Sequence, residues 1–456
     1  MSPSPSPSPR GRRLALLVVA LCWLAVLFDG LDMFIYGSVL PHMLATGALG
    51  ITPDQAGDLG SYATFGMLVG ALTAGTVADR VGRKKLMVGC VAVFSLASAV
   101  CALSGSVAVF GLGRTLAGVG LGGLLPTAIS MVSDYARGGR GALTIGVLMT
   151  AHHAGGILSA YVAKWLVEPV GWRAAFWVCV LPLLYVPVLL KALPESLRFL
   201  TAKGRTEEAA ALAARYEVDL PAVPQAGPRS RGETSMSALR GLFRGGEWAQ
   251  TLLYWLASFG GLLLVYGVAT WLPTLMRGEG YNLGSALTFV VLFNLGGIVG
   301  MLVAGKASDL PLARLRSRDG TATGAPFVSA IWFALTAAGV FLLSVRMPLG
   351  VTFLVVFLTG VFLNSAQTMI YATVSIRSAP DKRATAVGWT SGMGRFGAVF
   401  GPWLGGQLLA SGHGDRGFTA FALAGVSSTV FIGIAALRST RHREPTEAGQ
   451  KLVTTG

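Results

Sequence analysis

The run Gly75-Thr76-Val77-Ala78-Asp79-Arg80-Val81-Gly82-Arg83-Lys84-Lys85 joins two long apolar stretches. An acid closes the first stretch, four basic residues follow within six positions, and Leu86 opens the second. Basic residues stay on the cytosolic side of a membrane, so the run reads as a cytoplasmic turn between two spanning helices. Its small residues permit close helix approach, and Asp79 is suited to face a helix N-terminus or a cation. Taken alone, the run also fits a purely topogenic basic loop. Its first part returns far downstream, where Gly75-x-x-x-Asp79 recurs as Gly305-x-x-x-Asp309 at an offset of 230 positions.

Apolar segments of spanning length lie around it at 14–41, 55–78, 86–105, 108–133, 141–166, 172–192, 249–275, 283–306, 325–345, 349–374, 385–410 and 417–438. Of 456 residues, 53% are hydrophobic and 12% charged, about half the charge of a soluble protein, which excludes an ordinary soluble domain. The net charge of +15 does not mark a nucleic-acid binder, because the cations lie between apolar segments and not on one face. They set topology instead. Arg10, Arg12, Arg13, the cluster Arg80 to Lys85, Arg137, Arg140, the basic residues between Lys191 and Arg244, Lys306, Arg314, Arg316, Arg318, Arg377, Lys382, Arg383 and the tail from Arg438 share one side. The other side receives only Lys164, Arg173, Arg277, Arg346 and Arg416. This bias predicts a multi-pass protein of the plasma membrane with both termini in the cytoplasm. The first apolar segment is too long for a secretory signal and lacks a cleavage site, so it reads as a span. Cys22, Cys90, Cys101 and Cys179 all fall within spans and read as small buried hydrophobes.

The chain accordingly divides into a disordered Ser-Pro tail over 1–13, a six-helix bundle over 14–192, a cytoplasmic connection over 193–248, a second six-helix bundle over 249–438 and a tail over 439–456. Within the connection, Glu207–Tyr216 has an Ala-rich helical pattern and Pro221–Thr234 reads as flexible linker. The two bundles repeat. Tyr36-Gly37 returns as Tyr266-Gly267 at the offset of 230; past the longer loop from Asp309 to Gly324 the offset becomes 242, with Gly118-Val119 matching Gly360-Val361 and Gly155 matching Gly397. An all-α membrane protein of twelve transmembrane helices in two pseudo-symmetric six-helix bundles is therefore expected, an architecture of secondary transporters.

Asp29 and Asp32 break the first apolar segment. At about 1.5 Å per residue from Leu14, Asp29 lies roughly 22 Å along the helix, near the middle of a hydrocarbon core about 30 Å thick. A charge there costs about 2.5–3.5 kcal/mol, so the pair faces protein or a cavity. Their i, i+3 spacing sets both on one face, with Tyr36 on the same side. Burial and a neighbouring like charge favour the neutral form of a carboxyl group, which suits one of the two to proton uptake. The competing reading is a structural ion pair with Arg114. Arg114 and Arg395 are the two basic residues well inside spans, and Arg395 is the deeper. A guanidinium holds a carboxylate by two hydrogen bonds, so Arg395 is the candidate partner for a substrate acid or else a gating cation.

His152 and His153 lie at similar depth in the fifth segment, and the repeat sets His153 in register with Arg395. His153 reads either as a pocket or proton group or as a satisfied core residue, and only one of two adjacent histidines can face a cavity squarely. Asn364, Gln367 and Tyr371 form a polar stripe on one helical face. Together with Tyr36, Tyr266 and Trp271 they suit an aromatic ring and its hydroxyl, although Trp271 equally suits an interface anchor. Asp134 reads as a partner for Arg80, Arg83 or Arg137. No nucleophile–base set, metal cluster or cofactor motif can be assembled from the spans, so no enzyme activity, metal or cofactor is expected.

The run from Gly75 to Lys85 matches G-x-x-x-D-R-x-G-R-K-K and resembles the signature of the major facilitator superfamily. Asp29-Gly30-x-Asp32, Arg114-x-x-x-Gly118-x-Gly120, Pro194-Glu195-Ser196-x-Arg198-Phe199-Leu200 and Gly394-Arg395-x-Gly397-Ala398 are together similar to the aromatic acid/proton symporters. The first element tells most, because the Pro-Glu-Ser element is shared with sugar porters. The two histidines depart from that pattern, which has small or apolar residues there. The resemblance implies a monomeric carrier that works by alternating access, with a small organic anion and protons as partners, an aromatic carboxylate of the benzoate or hydroxybenzoate type foremost. It implies proton coupling at Asp29 and Asp32 and gating through Gly75, Asp79, Arg80, Gly82, Arg83 and Asp309, while the residues themselves make Arg395, Arg114, His153, Tyr36, Asn364, Gln367, Tyr371 and Tyr266 the candidate substrate contacts, His153 without support from the resemblance. Sugar, polyol and drug carriers share the fold, and a non-transporting sensor is the reading from another class.

Overall fold

The computed structural model describes residues 8–135, 141–217, 243, 248–307, 325–378 and 383–441, and the regular elements among them are all helical. The spans are one (Pro9–Ala45), two (Pro53–Val81), three (Arg83–Leu103), four (Val107–Tyr135), five (Gly141–Val162), six (Trp172–Ala192), seven (Trp248–Gly278), eight (Leu283–Ala307), nine (Ala325–Leu342), ten (Leu349–Arg377), eleven (Arg383–Ala410) and twelve (Gly417–Arg441). Among the described residues, ten helices are long and apolar enough to cross a membrane; span nine offers a shorter apolar helix, Pro326–Leu342. Span eleven is diluted by glycines and by Arg395. The protein is a multi-pass membrane protein, and large side chains such as Leu72, Trp165, Leu184 and Leu423 stay exposed where lipid tails would cover them.

Capping chemistry sets the helix ends beyond the apolar segments. Span one begins at Pro9 because Ser8 accepts the Gly11 N–H at 3.0 Å and proline suits the first turn. Span two begins with a capping box between Thr52 and Gln55, again followed by a proline. Gly82, at φ +99°, turns the chain from span two directly into span three. Span six is not one continuous α-helix: Leu181–Tyr185 is a 3₁₀ segment, and Pro182 within it and Pro187 just after it each lack a donor. Between the bundles, Leu197–Ala202 and Thr206–Tyr216 are helical, and the second is tied to span one by Arg10 and Glu217 at 2.9 Å. The predicted linker Pro221–Thr234 and Asp309 lie outside the described residues.

Helix pairing repeats between the halves. Span one packs on five and seven on eleven, two on four and eight on ten, three on four and nine on ten. Repeated glycines make the crossings possible. A Cβ on Gly118 would strike the Ala63 carbonyl, and one on Gly360 would strike the Phe293 carbonyl, so both copies let backbones touch. Gly155 against Leu27 and Gly397 against Phe259 repeat the arrangement.

The halves meet through spans two and eleven, by the same pseudo-symmetry through five and eight, and through one and seven. These contacts lie at mid-depth and toward the face opposite the termini. Ser61 donates to the Val399 carbonyl at 2.7 Å, Arg277 to the Pro41 carbonyl at 3.1 Å, and Gly57 and Gly406 bring their backbones together.

Candidate transport site

Asp29 and Asp32 are both buried, at 1% and 0% exposure, and they divide between different partners. Asp32 points to spans three and four: Ser98 donates to its Oδ2, and the Arg114 guanidinium lies 3.4 Å from its Oδ1. Asp29 points to span five, with Oδ2 3.0 Å from the Nδ1 of His152, while its Oδ1 has no partner among the described residues. Arg114 is buried beside Tyr36, its guanidinium 5.1 Å from the ring centroid. Tyr36 in turn donates its hydroxyl to the Ala56 carbonyl at 2.7 Å, so its polar atom is already used.

The second half supplies a complementary set. Arg395 is half-buried on span eleven, and among the described residues no acid pairs with it. Tyr266 on span seven lies near Arg395, Asp29 and Tyr371, so the two sets approach one another between the halves. On span ten, Gln367 donates to Ser258 at 3.1 Å and to Tyr371 at 2.8 Å, leaving its buried Oε1 without a donor among the described residues. Asn364 is buried and spends its amide on the Gly360 carbonyl. Trp271 is fully buried and donates to the Pro402 carbonyl at 2.7 Å, so it packs within the bundle and is no interface anchor.

The two histidines separate as their helical spacing demands. His152 is half-buried on Asp29, whereas His153 is buried and meets Asn294 of span eight, Nδ1 to Oδ1 3.1 Å. Asn294 and Ser98 are contributors that sequence reading passed over. Asn294 carried a signal, an amide at mid-depth in an apolar span, where polar groups are costly; Ser98 looked like any small residue in a membrane helix.

The Gly75–Lys85 run forms part of a polar knot at the end of the bundle that bears the termini. Glu195 Oε1 accepts the N–H groups of Arg83, Lys84 and Ser196 at 3.0, 3.1 and 2.9 Å, capping the start of span three. Asp134 receives Arg83 at 3.1 Å, Arg198 at 3.3 Å and the Ser196 hydroxyl. Gly75, Asp79 and Arg80 are exposed beside this knot.

Two repeated six-helix halves that bury two acids and carry an arginine without an acid partner among the described residues have the make-up of a membrane transporter. The chain belongs to the Major Facilitator Superfamily, whose family model matches residues 22–319. It is 32% identical over 404 residues to the benzoate transport protein of Acinetobacter baylyi, covering 86% of this chain and 83% of that one. The gallate transporter of Pseudomonas putida is 34% identical, with 93% of each chain covered, and the 4-hydroxybenzoate transporter PcaK of Pseudomonas aeruginosa is 33% identical, with 92% of each covered. In fold it is similar to a bacterial homolog of the human lysosomal transporter Spinster in an inward-facing and occupied conformation, with TM-score 0.68, 16% identity, and 96% of this chain and 100% of that one covered. It is equally similar to the Escherichia coli xylose transporter XylE in a partially occluded inward-open conformation, at TM-score 0.68 and 14% identity, covering 92% of this chain and 99% of that one.

Proposed function

We propose that the protein carries an aromatic monocarboxylate together with protons across the plasma membrane by alternating access, with both termini in the cytoplasm. The observation that carries the reading is Arg395: a half-buried guanidinium without an acid partner among the described residues, close to Tyr266 and, through it, to Tyr371. A carboxylate fits that fork by two hydrogen bonds, and the flanking phenols suit an aromatic ring. Relatives named for benzoate, gallate and 4-hydroxybenzoate support the same chemistry.

Asp29 and Asp32 provide the proton side, since a proton that neutralises a buried acid lets the loaded halves rock without a bare charge in the bilayer. Contact between the halves at Ser61, Val399, Gly57 and Gly406 supports closure toward the face opposite the termini. Gly75, Asp79, Arg80, Gly82, Arg83 and Asp309 gate the cytoplasmic end, where exposed Asp79 is free to dock when that end closes. A thermal-shift screen of purified protein against benzoate, hydroxybenzoates, nicotinate and sugars tests the substrate class. Stabilisation by aromatic acids is expected; stabilisation by sugars alone would overturn it.

A further inference from the structure

We infer that the transported proton rides on the Asp29–His152 pair, and that the buried charges fix the cycle at one proton per monocarboxylate with no net charge moved. The inference rests on the carboxylate-with-proton reading above. Asp32 has both oxygens engaged, one by Ser98 and one by Arg114, whose guanidinium supplies a permanent countercharge. Asp29 has only His152, on one oxygen. The His152 side chain retains 16% exposure, against 1% for Asp29, so the imidazole is the more accessible member of the pair.

Other groups around the pair do not compete for that role. On span one the neighbours are Asp32 and Phe34, whose ring centroid lies 5.5 Å from that of His152. Span three brings Cys90 within Coulombic reach of Asp29, span four brings Arg114, and span seven brings Tyr266 with Arg395 behind it. His153, with its centroid 5.8 Å from that of His152, is engaged by Asn294. Only Arg114 and Arg395 in this set are permanent charges.

A carboxylate accepts but does not donate, so the Nδ1 contact to ionised Asp29 requires the tautomer with hydrogen on Nδ1. Nε2 is then the basic atom. A hydronium ion on the aqueous path gives its proton to Nε2, its O–H bond breaking and leaving water as the N–H bond forms, and the imidazolium still donates from Nδ1 to Asp29. On the other side the Nε2–H bond breaks and the proton passes back to water.

Charge then dictates coupling. With neutral histidines and ionised acids, Asp29 and Asp32 balance Arg114 and Arg395, and the empty site is neutral. A proton alone leaves one positive charge, and a monocarboxylate alone leaves one negative charge. Together they restore neutrality. Rocking buries this set from both solutions, so the empty and fully loaded forms cross freely while the half-loaded forms are held back by the cost of a bare charge.

The test uses the purified full chain in lipid vesicles, with benzoate, 4-hydroxybenzoate, gallate, gentisate and nicotinate as probes. Transport current is read on a solid-supported membrane and lumen pH by an enclosed dye, with protein-free vesicles subtracted for weak-acid diffusion. The expected result is lumen acidification with uptake and no transport current. An inward positive current, from extra protons, or a negative one, from bare anion, overturns the charge balance. His152→Gln keeps a donor for Asp29 but binds no proton. At an imposed gradient of one pH unit, its ratio of gradient-driven uptake to substrate counterflow is expected to fall about tenfold, the factor such a gradient supplies to a one-proton cycle. Wild-type acidification by His152→Gln overturns the assignment, and if that variant does not fold, Asp29→Asn is read in the same assay with the same expectation. Absence of protein-dependent uptake of every probe is a separate outcome, which overturns the carboxylate reading and the stoichiometry built on it.

Discussion

His153 and Asn294 meet across the two halves, Nδ1 to Oδ1 at 3.1 Å, and each fills the space left by a glycine on the other's helix. A Cβ on Gly156 would lie 2.5 Å from the Asn294 amide oxygen, and one on Gly297 would lie 2.6 Å from the His153 ring. Span five and span eight are thus keyed by two reciprocal sockets, each an amide or imidazole set over a helix without a side chain.

The sockets predict that added volume and a lost polar partner are both punished. Gly297→Leu forces the His153 ring out of its seat and should lower stability by about 1–3 kcal/mol. Asn294→Ala leaves a buried imidazole nitrogen unpaired at a cost of about 1–3 kcal/mol, without overpacking. Thermal unfolding of each variant in detergent measures both. Gly297→Leu melting with the wild type would show that the sockets exert no constraint.

Asp29 and Asp32 should differ sharply in what they hold together. Asp32→Asn strips the buried Arg114 of its only acid among the described residues, and breaking a buried ion pair on one side costs about 3–5 kcal/mol. Asp29→Asn leaves the histidine with a neutral partner and should cost about 1 kcal/mol or less. Adding Arg114→Gln to Asp32→Asn should recover much of the loss. Equal melting of the two single variants contradicts this division.

That the acids require a protein surround is legible from the energetic cost of a charge in lipid, and the twelve spans are legible from length and composition. The partners of the acids are not. Whether Asp29 reaches His152 or His153 depends on the rotation of span five about its axis, and one residue changes that by about 100°. The helix ends depart from the apolar segments for a local reason: Ser8 and Thr52 cap outside them. The break in span six has its cause in Pro182 and Pro187, but hydrophobicity alone draws one continuous helix there. Repeated glycines such as Gly118 and Gly360 are visible in the sequence as matches, yet that both stand where backbones cross emerges only from tertiary packing.

The cap that Glu195 places on span three predicts a graded series. Glu195→Gln keeps an oxygen for the N–H groups of Arg83 and Lys84 but loses the charge facing the helix dipole, a cost of about 0.5–1 kcal/mol. Glu195→Ala removes the acceptor as well and should cost about 1–2 kcal/mol. Gly82→Ala should be the worst of the three, because Gly82 sits at φ +99° and its missing Cβ is the room that Glu195 occupies. The order of melting temperatures, with alanine at Gly82 lowest, is the readout, and a Gly82→Ala protein as stable as Glu195→Gln would refute the cap as the reason for glycine there.

Arg395 gives the sharpest test of ligand chemistry, because no acid among the described residues depends on it. Arg395→Lys preserves the charge and loses the planar fork, so a carboxylate held by two parallel hydrogen bonds should bind about tenfold more weakly. Arg395→Gln loses the charge too and should weaken binding by about a hundredfold, while both variants unfold near the wild-type temperature when no ligand is present. Titrating benzoate and 4-hydroxybenzoate against each protein and following the ligand-induced rise in melting temperature separates the two effects, since that rise tracks the ratio of ligand concentration to dissociation constant. If lysine binds these acids as tightly as arginine does, Arg395 acts as a diffuse positive charge. If glutamine does so as well, the carboxylate is held elsewhere, and Arg114 becomes the remaining guanidinium to test.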